Sequence, residues 1–282
     1  MCPSEAGERR GSSRLYIARR LEWTRRDSVH VASDVVESIG NTPIVALREV
    51  VPPGSARILA KLEWANPTGS MKDRMAKAVI EAAAADGRLA PGGTVVEYTA
   101  GTTGISLALI CAAKGYNFHA VFSDAFSEEK RLTMRAFGAE ITDVPSDNKR
   151  ITEKLIKEMI EKSRRISERP NHWWSDQLRN HDAIKGYYPM GEEIWEQTGG
   201  RLDAFVHAVG TAHSIHGVTE VLRKRTPNLH VAAVEPAESP VLPGVRRDPT
   251  KLRGSGSASS RPSGTRASST RSSRYRRKRR RG

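Results

Sequence analysis

Cysteine is almost absent from this chain. Cys2 and Cys111 are the only two among 282 residues, too few for a disulfide framework. Cys111 lies in an apolar, helix-like run and reads as a small buried hydrophobe. Long apolar runs are missing too. None approaches the roughly 18 to 20 residues of a membrane span, and the N-terminus has no apolar core of the kind a secretory signal carries. Glu5, Glu8, Glu22 and Asp27 argue against a transit peptide. These absences predict a cytosolic protein with no membrane contact, and no metal-ligand spacing is read along the chain.

Acid is missing from one region only. The net charge of +14 invites a nucleic-acid reading, but 14 Lys and Arg with a single acid, Asp248, lie between residues 246 and 282, leaving 32 basic and 31 acidic residues elsewhere. The body is a near-neutral globule with a basic tail. Its 38% hydrophobic and 28% charged composition is ordinary for a soluble protein of one or two domains. From Gly254 on, Ser, Arg, Gly and Pro dominate, and the segment has too little apolar surface to fold.

Between Ile39 and Pro236, short β-branched runs alternate with helical ones, each ended by Gly or Pro. Strands are predicted at Ile58–Glu63, Thr94–Tyr98, Phe118–Phe122, Glu140–Val144, Ala204–Val209 and Val231–Val234. Helices are predicted at Asp73–Asp86, Ile105–Lys114 and Leu132–Phe137. A further helix face is traced by Ile151, Leu155, Ile156, Met159 and Ile160, with Glu158 and Lys162 as an i,i+4 pair. Leu15 to Trp23 could form another helix. The rhythm is that of a parallel sheet covered by helices.

Three strand-to-helix junctions have the residues of a site. Asn66 to Arg74, N-P-T-G-S-M-K-D-R, places Lys72 behind a Pro-Gly-Ser turn at the start of a helix. Thr99-Ala-Gly-Thr-Thr-Gly104 and Gly210-Thr-Ala-His-Ser214 put small and hydroxyl residues where free backbone amides and the helix dipole suit a carboxylate or phosphate. Gly and Thr are also ordinary punctuation, so each loop alone carries little. Together, one amine and two anion cradles are what an aldehyde cofactor with a phosphate tail needs. Tyr187, Tyr188, Trp173 and Trp174 are read as packing.

These motifs, with Ile39-Gly-Asn-Thr-Pro43, Lys61-Leu-Glu63, Gly138-Ala-Glu140, Gly191-Glu-Glu-Ile-Trp195 and Glu235-Pro236, resemble the cysteine synthase and cystathionine β-synthase family in order over about residues 37 to 243. The resemblance implies an α/β fold of pyridoxal-phosphate enzyme type II: two three-layer αβα domains with mostly parallel, twisted sheets. It assigns residues 36–71 and 182–245 to a larger, incomplete cofactor domain and 72–181 to a smaller substrate-loop domain, flanked by an extension (1–35) and a disordered basic tail (246–282). It implies pyridoxal 5'-phosphate as cofactor, a homodimer, and β-replacement on an activated serine by a sulfur nucleophile through an aminoacrylate. Cystathionine β-synthase-like or dehydratase-like elimination is the alternative within the family.

By the same resemblance Lys72 is the Schiff-base lysine and proton carrier. Thr99, Ala100, Gly101, Thr103 and Gln177 bind the substrate carboxylate. Thr102 stands where the family commonly has Asn against the cofactor's 3′-oxygen. Gly210, Thr211, Ala212, His213 and Ser214 form the phosphate loop, with Ala212 and His213 in place of two glycines. Either position therefore risks strain of about 1 kcal/mol or more if its φ is positive, and His213 is either a cation beside the phosphate or a solvent-facing histidine.

After Val241-Leu-Pro-Gly244 the resemblance stops, and no residue takes the role of the Ser or Thr that meets the pyridine nitrogen. With TCN for Ser and CGN for Arg, a two-nucleotide shift across Arg253 to Ser269 permits G-I-G-I-G-F-V-P-P followed by L-W-D-P-S-L-V, which resembles the family's continuation. The tail is therefore expected to be a frameshift product of a truncated enzyme. The competing reading is a non-catalytic chain whose tail binds polyanions non-specifically by neutralising phosphates. Sequencing the gene decides between them: the shifted frame is expected to encode the family's continuation, and an early stop or unrelated residues would sink the frameshift.

Overall fold

The computed structural model describes residues 31–236. The expectations for Leu15–Trp23, for the extension before residue 31 and for the basic tail lie outside the described residues. Residues 33–236 belong to one compact unit.

The central layer is a four-stranded parallel sheet in the order β5-β4-β3-β6, formed by β3 (Thr94–Tyr98), β4 (Asn117–Ser123), β5 (Glu140–Val144) and β6 (His172–Trp174). β3 and β4 are apolar and buried on both faces, as parallel strands between helices must be. One face packs on α1 (Lys72–Ala85) and α2 (Thr102–Lys114) through Met75, Val79, Ile80, Leu107 and Ile110. Across the other face, Leu155 and Met159 of α4 (Glu153–Ser167) meet Val96, Tyr98 and Val121. The remaining helices are α3 (Glu128–Ala136), α5 (Asp182–Lys185), α6 (Tyr188–Gln197) and α7 (His213–Arg225).

Two further strand pairs stand apart. β1 (Ile44–Leu47) and β2 (Ile58–Lys61) are antiparallel; β7 (Ala204–Ala208) and β8 (His230–Val234) are parallel. β7 is buried on one face only, and Val206 on the other is 62% exposed.

The predicted strands and helices are present, with shifted ends. Ile58–Glu63 is strand only to Lys61, because Glu63–Ala65 turns into a 3-10 helix that leads into the Asn66 turn. α2 begins at Thr102, three residues before Ile105, and α3 at Glu128, where two first-turn acids favour the helix dipole. α4 starts after Thr152, whose hydroxyl accepts from Leu155 N at 3.1 Å, so Ile151 lies outside the helix. Its i,i+4 pairs are Lys157–Glu153, Arg165–Glu161 and, onto its C-cap, Arg164–Glu168, in place of Glu158–Lys162. Trp173 and Trp174 belong to β6, where their backbones pair with Val95 and Val96.

Arg74, on the first turn of α1, ties the pieces together. It is 4% exposed. Its Nε and Nη2 donate to Glu63 at 2.8 and 2.9 Å, and its Nη1 and Nη2 to Glu193 of α6 at 2.7 and 2.8 Å. Lys61 Nζ adds a bond to Glu193 at 2.6 Å and one to the Thr42 carbonyl at 2.6 Å. Asn41 N donates to Glu193 at 3.0 Å, and Gly40 N to the Asn66 side chain at 3.0 Å. Burial alone would lower the guanidinium pKa, but the hydrogen bonds to Glu193 and Glu63 raise it. Burial likewise opposes charge on Glu193, yet Arg74 and Lys61 bring its pKa down to about 2. Removing one member of such a buried cluster leaves an uncompensated charge. Arg74→Ala is expected to cost about 3–5 kcal/mol of stability in urea unfolding; a loss below about 1 kcal/mol would contradict this role for Arg74.

Candidate active site

Lys72 opens α1. The turn before it is held by Asp73, a fully buried carboxylate that accepts from the Thr68 amide at 2.8 Å and from the Thr68 hydroxyl. The Lys72 amide donates to Ser70 Oγ at 3.1 Å. Burial lowers the Lys72 amine to a pKa of about 8, and a helix N-terminus is in any case a poor place for a cation. The amine thus gains a neutral fraction in the neutral pH range, which a nucleophile and proton carrier requires.

The amine faces the start of α7. Its charge depresses the pKa values of both His207 and His213, after burial as the larger cause. Between those histidines the chain leaves β7 and turns through Gly210, Thr211 and Ala212. Ala212 has φ 65°, the left-handed conformation that the sequence reading flagged as strained. No side chain caps α7, so its first-turn amides are open to an anion.

His213 is 8% exposed and so is not the solvent-facing histidine. Burial, then the Lys72 charge, lowers its pKa to about 4. Its Nδ1 and the Nε2 of His207 are buried with no hydrogen-bond partner among the described residues. Ser214 is also buried.

The third loop joins β3 to α2. The Thr99 hydroxyl accepts from the amides of Gly101 and Gly104 at 2.9 and 3.0 Å, folding Thr99 to Gly104 into a closed turn. The first-turn amides of Thr102 and Thr103 then remain for a ligand. Gly101 has φ 129°, and a Cβ there would run into the stem of Lys130, so this position needs glycine on two counts. Thr102 has an exposed side chain, whereas Thr103 is buried and its hydroxyl donates to Gln177 Oε1 at 2.7 Å. Gln177 Nε2 donates to the Tyr98 carbonyl at 2.8 Å. Ser106, one turn along α2, meets the Thr68 hydroxyl at 3.2 Å, linking this loop to the Lys72 turn.

The sequence assigns no separate role to Thr68 and Asp73 within the Asn66–Arg74 motif, and none to His207, nor to Glu97 and Ser175, which lie behind the Thr99 to Gly104 turn with Glu97 Oε2 accepting from Ser175 Oγ at 2.6 Å. Glu97 had a signal, a lone acid inside the apolar strand Thr94–Tyr98. His207 had one too, a histidine on the strand that leads into the Gly210 turn.

Lys72 and the start of α7 fit the aldehyde and the phosphate of an aldehyde cofactor with a phosphate tail: a partly neutral, half-buried amine, and a helix start with free amides beside an unpaired imidazole. A family model described as "Pyridoxal-phosphate dependent enzyme" matches residues 35–279. The chain belongs to the pyridoxal-phosphate dependent enzyme family. That match runs past Gly244, where the sequence resemblance was read as ending, into the basic tail. Cysteine synthases of Staphylococcus aureus strains Mu50 and N315 are each 39% identical over 225 residues, covering 79% of this chain and 71% of theirs. Among solved structures, a hydrogen sulfide-producing enzyme from Fusobacterium nucleatum is similar with TM-score 0.77 and 31% identity, covering 86% of this chain and 81% of that one. The cysteine synthase of Entamoeba histolytica is similar with TM-score 0.72 and 33% identity, covering 83% and 69%. This member of the family is thus an enzyme of fold type II whose cofactor is pyridoxal phosphate.

Proposed function

We propose that this chain forms cysteine by β-replacement, exchanging the leaving group of an activated serine such as O-acetylserine for a sulfur nucleophile, with Lys72 as the cofactor-bearing lysine. The observation that carries this reading is the place of Lys72 as the first residue of α1, behind the turn held by Asp73 and Ser70, with its charge felt by His207 and His213 on either side of the Gly210 turn. The names of the Staphylococcus and Entamoeba relatives support the reaction.

In this reading the open amides of His213 and Ser214, with Gly210, Thr211 and Ala212 shaping the turn, hold the cofactor phosphate at the positive end of α7. His213 is neutral there and offers Nδ1 as a hydrogen-bonding atom, not as a charge. Thr102 supplies the single hydroxyl beside the 3′-oxygen. The Thr99 to Gly104 turn binds the substrate carboxylate through the Thr102 and Thr103 amides, with Ala100 and Gly101 giving close access. Gln177 acts mainly by holding Thr103. Lys72 Nζ takes the α-proton from the substrate and keeps it beside the site until the sulfur has added. Bound pyridoxal phosphate supplies the electron sink for that proton removal. No described residue is assigned to the pyridine nitrogen.

The sheet of β3 to β6 with its helices is read as the substrate-loop domain, residues 72–181, and residues 36–71 with 182–245 as the cofactor domain. The reading also carries the homodimer and the cytoplasmic location. A β-eliminating activity is the second reading, favoured by the likeness to a hydrogen sulfide-producing enzyme.

Lys72→Ala tests the proposal. The purified full chain with added pyridoxal phosphate is expected to show the visible absorbance band of a lysine-linked cofactor and to release cysteine from O-acetylserine and sulfide. The variant is expected to lose both, and an unchanged band in Lys72→Ala would rule the lysine out.

A further inference from the structure

A second titratable group lies buried behind the Thr99 to Gly104 turn. Glu97, on β3, is fully buried. Its Oε2 accepts from Ser175 Oγ at 2.6 Å and from the Gln177 amide at 2.9 Å. Ser175 continues β6, its amide donating to the Val96 carbonyl at 3.1 Å, and Asn180 Nδ2 closes the turn onto the Ser175 carbonyl at 3.0 Å. One carboxyl thus fixes both ends of the Ser175–Gln177 segment, and the Gln177 side chain in turn spans the Tyr98 carbonyl and the Thr103 hydroxyl.

We propose that Glu97 is a positioning residue for substrate: it holds Gln177, which holds Thr103, so that the Thr99 to Gly104 turn keeps its amides aimed at the substrate carboxylate. This rests on reading that turn as the carboxylate site.

The surroundings of Glu97 keep it uncharged near neutrality. Burial pushes its carboxyl up to about 8 against the pull of Ser175 and Gln177, and the Asp176 charge adds to the rise. β4 sets Ala120 opposite it, α2 contributes uncharged Thr103 through Gln177, and α4 lies on the other face of β3 against Val96 and Tyr98. The Trp174 indole N–H is near the carboxyl and, as the smallest influence, opposes the rise, although no hydrogen bond of good geometry joins Trp174 Nε1 to Glu97 Oε1. A neutral Glu97 therefore accepts its two bonds without setting a negative charge behind a loop that must hold a carboxylate. Ionisation would oppose that ligand. The folded pKa is raised above the unfolded value, so the competent form is complete well below pH 8 and is lost as pH rises through about 8.

The test measures binding of L-alanine, which has the carboxylate but no β-leaving group, by calorimetry on the full chain loaded with pyridoxal phosphate, at pH 7 and pH 9. Glu97→Gln keeps both acceptor bonds and cannot titrate. Wild type and Glu97→Gln are expected to bind alike at pH 7, and wild type to bind about tenfold more weakly than the variant at pH 9, the competent fraction being about a tenth one pH unit above the pKa. Titration of Lys72 and of the ligand amine is common to both proteins and leaves this ratio unchanged. Glu97→Ala, which removes both bonds, is expected to bind at least about tenfold more weakly at either pH; should it fail to fold, the wild type to Glu97→Gln ratio at pH 9 decides. Equal binding by Glu97→Gln and wild type at pH 9 would overturn the proposal while leaving the carboxylate loop in place. Wild type that binds no L-alanine at either pH would overturn the loop assignment and the proposal with it.

Discussion

One guanidinium between two carboxylates organises this molecule. Arg74 holds Glu63 from the end of β2 and Glu193 from α6, and Lys61 and the residues around Thr42 close on the same acids. That cluster ties the Glu63 end of the turn to α6, where β1 and β2 form only a two-stranded antiparallel pair with exposed Val45, Leu47 and Ile58. Lys72 stands two residues from Arg74 on the same first turn. The charge network that anchors α1 therefore also fixes where the Lys72 side chain begins. Asp73, between them, holds the Thr68 end of the turn.

The site repeats one construction three times. β2, β3 and β7 each run into a tight turn that opens a helix, and the turns bring Lys72, the Thr99 to Gly104 amides and the Gly210 to Ser214 amides into play. Each turn uses a different device to hold its shape: Asp73 to Thr68 at the first, the Thr99 hydroxyl on Gly101 and Gly104 at the second, and the left-handed Ala212 at the third. Ala212 is the least comfortable, because its Cβ occupies a conformation that glycine adopts at lower cost. Behind the second turn, Glu97 and Ser175 brace Gln177, whose side chain reaches Thr103.

Much of this was legible in the sequence, and the reasons are physical. β3, β4 and β5 are short runs dominated by apolar and β-branched residues and ended by turn residues, so their predicted and observed limits agree within a residue. β1 was not legible, since it is short and exposed, and β6 was hidden because two tryptophans suggest packing whatever their backbone does. Lys72 and the two loops could be found from spacing, because strand-to-helix turns leave a local signature. The state of His213 could not. Whether a histidine at a helix start is solvated or buried depends on β7, α1 and the Lys72 charge, which meet only in three dimensions. Glu97 shows the same limit: an acid in an apolar strand is visible, but its partners lie 78 and 80 residues further along.

The central claim is that the Lys72 amine carries the cofactor. The most direct measurement is to load the full chain with pyridoxal phosphate, reduce the linkage with borohydride, and map the pyridoxyl-modified peptide by mass spectrometry. The account predicts modification at Lys72, in the peptide that begins after Lys61 and contains Asn66 to Arg74. Modification confined to any other lysine, such as Lys61, Lys77 or Lys130, would contradict it.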